Sequence, residues 1–136
     1  MKQINHIMIA GRIDRKEIKQ ISDTFKVLTF TLISEDIGKR RDGSQYMKKT
    51  FIECKAFNQE ADEYNALLAD NDIVLVDGAL RYESWKDKQG NNKGKHAIGI
   101  TSAMVIGKYE EVPISTYKNS TRNDEQKFAY KDELPF

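Results

Sequence analysis

The chain of 136 residues holds one cysteine, Cys54, with two prolines and two histidines. A single thiol closes no intrachain disulfide and builds no cysteine zinc site. A reducing compartment is the simpler expectation for such a chain. His6 and His96 show no metal-ligand spacing, so neither a metal nor another cofactor is expected. A phosphate-binding loop, a dinucleotide fingerprint and a nucleophile elbow are all missing. The acids Asp62-Glu63 and Glu110-Glu111 are adjacent and do not resemble two carboxylates facing across a cleft. No catalytic residue is expected, and an enzyme has the least support of any class. Long apolar runs are missing, as is a basic-then-apolar leader, so a soluble, non-secreted chain with no membrane partner is expected. Net charge is nearly missing too: 22 Lys+Arg against 21 Asp+Glu leave +1. Taken alone, that balance argues against a generally basic, histone-like binder of nucleic acid.

What is there is unevenly placed. Residues 37–49 carry five bases and one acid, and residues 81–96 carry five bases and two acids. Residues 58–77 carry six acids and no base. The small total is a cancellation between regions, and it leaves room for local basic sites.

Apolar residues recur mostly with period two, the spacing of strands. Residues 4–13 (INHIMIAGRI) are apolar on both faces, with Ile7 and Ile9 on one and Ile4, Met8 and Ala10 on the other. A strand of that kind in a small domain packs core on one side and a partner subunit on the other. Residues 25–34 alternate Leu28, Phe30 and Leu32 against Val27, Thr29, Thr31 and Ile33. Residues 46–57 place Ile52, Cys54 and Ala56 on one face. The other face takes Lys49, Phe51, Glu53, Lys55 and Phe57. Residues 73–85 and 95–106 supply two further strands. Between strands three and four a helix is expected, with Asn58 as N-cap, acids in its first turns, and Ala61, Tyr64 and Leu68 as its buried stripe. Asp42-Gly43 and Gln89-Gly90-Asn91-Asn92 signal two hairpin loops, both within the basic segments. From 108 onward neither period continues, and residues 108–136 are expected to form a disordered tail. Three strands, one helix and two strands describe an all-β, five-stranded OB-fold barrel with one helix between strands three and four. That places the domain over residues 1–107 and the tail over 108–136.

Such barrels hold oligonucleotides or oligosaccharides on strands two and three and the flanking loops. An exposed aromatic beside a lysine suits a stacked base and its phosphate, which makes Phe51 and Phe57 candidate platforms. Two registers are open for that strand, and in the other one phenylalanine is core. Trp85 has the same two readings, core or platform, but Arg81, Lys86, Lys88, Lys93 and Lys95 surround it. Basic-aromatic interleaving is the footprint of single-strand binding. Lys39, Arg40, Arg41, Lys48 and Lys49 flank the other hairpin, either as a solvated edge or as part of a phosphate track. The chain ends Asp132-Glu133-Leu134-Pro135-Phe136, an apolar tip beside two acids and a free carboxylate, shaped for docking on a basic-rimmed pocket. The competing reading is an ordinary frayed terminus.

In order, INHIMIAGRI, FKVLTFTLIS, TFIECKAFNQEADEY, VDGALRYESW and DELPF resemble successive segments of the bacterial-type single-stranded DNA-binding protein family. The likeness spans roughly residues 3–107 and the extreme C-terminus. It implies an OB-fold homo-oligomer, a tetramer, that binds single-stranded DNA without sequence preference in the bacterial cytoplasm or nucleoid, or in a host cytoplasm for a phage-borne copy. It implies base stacking on Phe51, Phe57 and Trp85. Phosphates would be tracked by Arg12, Lys39, Arg40, Arg41, Lys48, Lys49, Lys55, Arg81, Lys86, Lys88, Lys93 and Lys95. The tip 132–136 would recruit replication, recombination and repair proteins. Departures are Ile37 near a position where the family has an aromatic, Glu83 where some members carry a base, Asp77 for the usual Glu, and a short tail interrupted by Lys131. An OB-fold protein-interaction module and a single-stranded RNA binder are the alternatives.

Overall fold

The computed structural model describes residues 2–110. The expected tail, 108–136, starts too early by sequence reading, since Lys108 ends the last strand and the Tyr109 amide donates to the Asn71 carbonyl at 2.8 Å. Its remainder from 111 onward, with the docking tip, lies outside the described residues. Five strands and one helix follow in the order expected: β1 (Ile7–Ser22), β2 (Phe25–Lys39), β3 (Gln45–Phe57), α1 (Asn58–Leu67), β4 (Asp72–Lys86) and β5 (Asn92–Lys108). The strands close a barrel in the order β1-β2-β3-β5-β4. Contacts divide the chain into two units. One is built from Met1–Glu35 and Lys49–Tyr109, and the other holds Asp36–Lys48.

Alternation dictates the core. Leu28, Phe30 and Leu32 of β2, Cys54 and Ala56 of β3, Val74 and Val76 of β4 and Ile98 and Ile100 of β5 point inward, with Ile13 of β1. Ala61 of helix α1 and Leu68 at its C-terminal cap cover this core, while Tyr64 packs at its margin. Cys54 is wholly buried, and that burial, with Glu53 beside it, pushes its thiol pKa up to about 12. Two glycines let strands approach closely. A Cβ on Gly11 would stand 2.5 Å from the Ile33 carbonyl oxygen. One on Gly78 would overlap the Gly99 carbonyl oxygen and stand 2.9 Å from Ile98 Cγ2.

Two further expectations require correction. Strand one does not end at residue 13. It starts at Ile7, leaving Ile4 outside and exposed, and runs to Ser22. A bulge between Asp14 and Glu17, with Arg15 at φ 57°, carries it through the charged stretch. The extra residue turns Lys16 onto the helix, where its Nζ donates to the carbonyls of Asn65 (2.7 Å) and Leu68 (2.5 Å). A cation there satisfies the orphan carbonyls of a helix C-terminus. The second correction is Asn58, which is not the N-cap. Phe57 takes that position with no side-chain cap bond. Asn58 sits at φ 54° and its Oδ1 accepts the Lys26 amide at 3.0 Å, tying the helix start to β2.

Asp72 closes the turn after the helix. Its Oδ2 accepts the Ala69 amide at 3.0 Å, and its Oδ1 accepts from Lys108 Nζ. The Lys108 hydrogen bond, aided by the Ala69 amide and opposed by burial, holds the carboxyl below its usual value of 3.8. A depressed carboxyl contributes stability that is fully present above the unfolded pKa and is lost as pH falls through the folded one. Asp72→Asn is therefore expected to cost about 1–2 kcal/mol at pH 7. The gap to wild type should narrow as pH drops below the unfolded value. Urea midpoints at pH 7 and pH 3 check this, and an equal gap at both would show that the charge of Asp72 is not what stabilises the turn.

Candidate nucleic-acid interface

The pleat that sends Leu28, Phe30, Cys54 and Ala56 inward sends their neighbours outward. Those neighbours line a groove of about 610 Å³ in the barrel unit. Its walls are Glu17, Lys19 and Ile21 from β1, Phe25, Val27 and Thr29 from β2, Glu53, Lys55 and Phe57 from β3, and Arg81 and Glu83 from β4. Cross-strand pairs Glu17–Thr29 and Lys19–Val27 hold the β1 and β2 walls in register.

An aromatic group occupies one end. The Phe57 ring lies against Phe25 with centroids 5.7 Å apart and planes 19° from parallel. The Arg81 guanidinium sits 4.6 Å from the Phe57 centroid. Phe57 is thus a half-buried element of a Phe25–Phe57–Arg81 assembly. Phe51, on the same side of β3, is 62% exposed. The register that would bury it is therefore not the one adopted.

Alternating charges fill the middle. Lys55 Nζ donates to Glu83 Oε2 at 2.6 Å and lies 3.7 Å from Glu53 Oε1. Lys95 Nζ donates to Glu53 Oε2 at 2.5 Å and stands 5.8 Å from the centroid of the Trp85 ring. The row reads Lys95, Glu53, Lys55, Glu83. The Lys55 side chain is only 14% exposed, so its ammonium is shared between carboxylates and turned from solvent. Desolvation offsets most of the Coulomb gain of pairs like these, so the row sets positions more than it adds stability. Glu83 Oε1 is buried with no partner.

Trp85, 47% exposed, stands beyond this row on the β4–β5 hairpin. The loop is held by Asp87, whose Oδ1 accepts the amides of Gln89 (3.0 Å) and Asn91 (2.8 Å), and by Gly90 at φ 82°. Lys86, Lys88 and Lys93 are exposed there, with no partner among the described residues.

The unit holding Asp36–Lys48 is a basic hairpin closed at Gly43 (φ 87°), with the Arg40 amide donating to the Ser44 carbonyl at 2.8 Å. Asp42 accepts from the Ser44 hydroxyl at 2.6 Å and the Ser44 amide at 2.9 Å, bonds that hold its carboxyl below the usual value. Arg40 lies over the Tyr46 ring, 4.7 Å from its centroid. Lys39, Arg41 and Lys48 are exposed.

Of the residues singled out from sequence, Phe57, Lys55 and Arg81 line one groove, with Lys95 and Trp85 joined to it through Glu53. Arg12 is elsewhere. It pairs with Ile33 on one side and Ile73 on the other, and its guanidinium lies 4.5 Å over the Tyr109 ring. Sequence reasoning missed Phe25, the β1 wall and the acidic partners. Phe25 carried a signal, since it shares the parity of Val27 and Thr29, opposite to the core residues. For the Lys55–Glu83 pair there was none, because its members lie 28 residues apart on different strands.

Comparison with known proteins bears on this geometry. The model of the Single-strand binding protein family matches residues 4–106. A single-stranded DNA-binding protein of Helicobacter pylori is 27% identical over 93% of this chain and 72% of its own. One from Borreliella burgdorferi is 29% identical over 78% of this chain and 72% of its own. Among solved structures, a Plasmodium falciparum SSB in complex with ssDNA superposes with a TM-score of 0.64 at 24% identity, over 79% of this chain and 96% of that one.

Proposed function

The chain belongs to the single-strand binding protein family, and on that premise we propose that it binds single-stranded DNA without regard to sequence. In this reading it shields the strand during replication, recombination and repair in the bacterial cytoplasm or nucleoid. The observation that carries the reading is the run of aromatics along one side of the barrel unit, Phe57 to Phe51 and Trp85, interleaved with cations. Stacking contributes about 1–3 kcal/mol per base and accepts every base, because each has a π-face. Lys49, Lys86, Lys88 and Lys93, which lack a carboxylate partner among the described residues, are the cations most available to phosphate.

Two further parts belong to the proposal. A homo-oligomer, a tetramer, is supported by an apolar row across the outer side of three strands. There Ala10 of β1 pairs with Leu75 of β4, and Leu75 with Met104 of β5, next to exposed Met8. The tip Asp132, Glu133, Leu134, Pro135 and Phe136 recruits partner proteins through its apolar end and its acids.

Titration with oligo-dT at two salt concentrations, followed by Trp85 fluorescence, tests the function. Quenching is expected, with binding weaker at high salt because neutralised phosphates release counterions. No quenching and no binding would overturn the reading, and competition by oligo-U at equal strength would redirect it to RNA. Glu83→Gln sharpens the test. Losing this carboxylate leaves Lys55 only the more distant Glu53 at 3.7 Å and makes it more available to phosphate, so affinity should rise by up to about fivefold, the worth of a pair of about 1 kcal/mol. The slope of log affinity against log salt should steepen by about 0.7, one phosphate's share for a single strand. An unchanged slope would mean that Lys55 meets no phosphate.

A further inference from the structure

The β4–β5 hairpin carries a second exposed aromatic that the groove does not use. Tyr82 is three residues before Trp85, so strand alternation puts the two rings on opposite faces. Tyr82 is 66% exposed, more than Trp85. The ring is nonetheless seated. It lies across Gly94, where a Cβ would fall on the phenol oxygen and stand 3.0 Å from Cε2. His96, its cross-strand partner, flanks it with ring centroids 5.1 Å apart. One side of the phenol ring is thus supported by backbone that carries no side chain.

A hollow of about 530 Å³ borders this ring and is lined also by Ser84, Trp85, Lys86 and Lys93. That volume lies within the range of about 300–1,000 Å³ usual for ligand sites. Its charge differs from that of the groove. The groove sets Glu17, Glu53 and Glu83 against Lys19, Lys55 and Arg81, whereas the hollow has two lysines and no acid. A flat aromatic held against backbone, beside unpaired cations and no carboxylate, is the chemistry that accepts a nucleobase and its phosphate.

We propose that the Tyr82 ring, seated on Gly94 beside His96, is a further base-stacking platform that carries single-stranded DNA past Trp85 and around the β4–β5 hairpin. It rests on the single-strand reading of the groove and extends the bound path to the opposite face of the hairpin. A short oligomer fills the groove alone, and a longer one reaches Tyr82.

The test compares wild type, Tyr82→Leu, Tyr82→Phe and His96→Ala with two oligo-dT probes. One is about 8 nucleotides, within one OB fold's span, and the other is about 30. Leucine keeps apolar cover over Gly94 but removes the π-face, and phenylalanine keeps both. Tyr82→Leu should weaken the longer probe about tenfold, the effect of one lost stack, and leave the shorter within about twofold. Tyr82→Phe should bind both as wild type does. His96→Ala, at an exposed position, should weaken only the longer probe, by about threefold, by unseating the ring. Equal binding of the longer probe by wild type, Tyr82→Leu and His96→Ala would overturn the platform while leaving the groove intact. Failure of wild type to bind either probe would overturn both.

Discussion

A Gly78→Ala variant is expected to lose about 3 kcal/mol of folding free energy, near the upper end for an overpacking substitution. Gly78 pairs with Ile7 of β1 on one side and Ile100 of β5 on the other. The added methyl would overlap the Gly99 carbonyl oxygen and press on Ile98 Cγ2. The oxygen is backbone in a strand that also pairs with β3 at Lys55–Gly99, so it cannot swing aside as a side chain would. Relief requires three strands to part locally. In a domain of this size the melting temperature should fall by roughly 10–20 °C. Gly107→Ala is the control. A Cβ there meets nothing within 4 Å, and its effect should stay within about 0.5 kcal/mol. Urea and thermal midpoints of the two variants decide the matter. Equal midpoints would show that the close approach at Gly78 is not needed to close the barrel.

The other large effect falls on binding. Phe51→Ala and Trp85→Ala should each weaken oligo-dT binding by about 1–3 kcal/mol, that is, roughly fivefold to more than a hundredfold. Phe51 is 62% and Trp85 47% exposed and neither belongs to the core, so both variants should melt close to wild type. Each ring would stack a different base, so the losses should add in the double variant. Phe57→Ala is a different experiment. Its ring supports Phe25 and carries Arg81, so its removal disturbs the groove wall as well as any stacked base. Anisotropy of a labelled oligomer measures all three without relying on Trp85 emission. Wild-type affinity in folded Phe51→Ala and Trp85→Ala would dismiss these rings as stacking platforms.

Much of the architecture was legible because period two survives in the strands that build the core. Leu28, Phe30 and Leu32, then Cys54 and Ala56, read directly as inward residues and are buried. Strand one was legible only to Ile13 because the bulge at Arg15 shifts parity. Ile13 points inward at an odd number and Ile18 packs on the core at an even one. An alternation broken by one residue inside a charged run looks like a loop. Asn58 was read correctly as the helix boundary and wrongly as its cap, since a left-handed Asn that bonds β2 leaves the same trace in a sequence as a capping Asn.

The candidate site was legible where it depends on residue type and veiled where it depends on pairing. Aromatics beside lysines marked Phe51, Phe57 and Trp85 at once. The basic count overstated the groove, because Glu53 and Glu83 engage Lys55 and Lys95 from strands whose alignment only the fold creates. The seat of Tyr82 went unread because it rests on Gly94, a residue twelve positions away that makes room by having no side chain.

That β1 pairs with β4 up to Arg12 and with β2 from Arg12 onward has a consequence for the chain as it is made. β1 meets β2 within a local hairpin, but from Ile7 to Arg12 it waits for β4, as in the Ile7–Gly78 pair, 71 residues apart. Until those residues leave the ribosome, the β1 edge from Ile7 to Arg12 stands open, with apolar residues along it. Unpaired edges of this kind recruit other chains. The charged stretch Asp14–Glu17 and the bulge within it lie at the end of that edge, where they shorten the template a neighbouring nascent chain could copy.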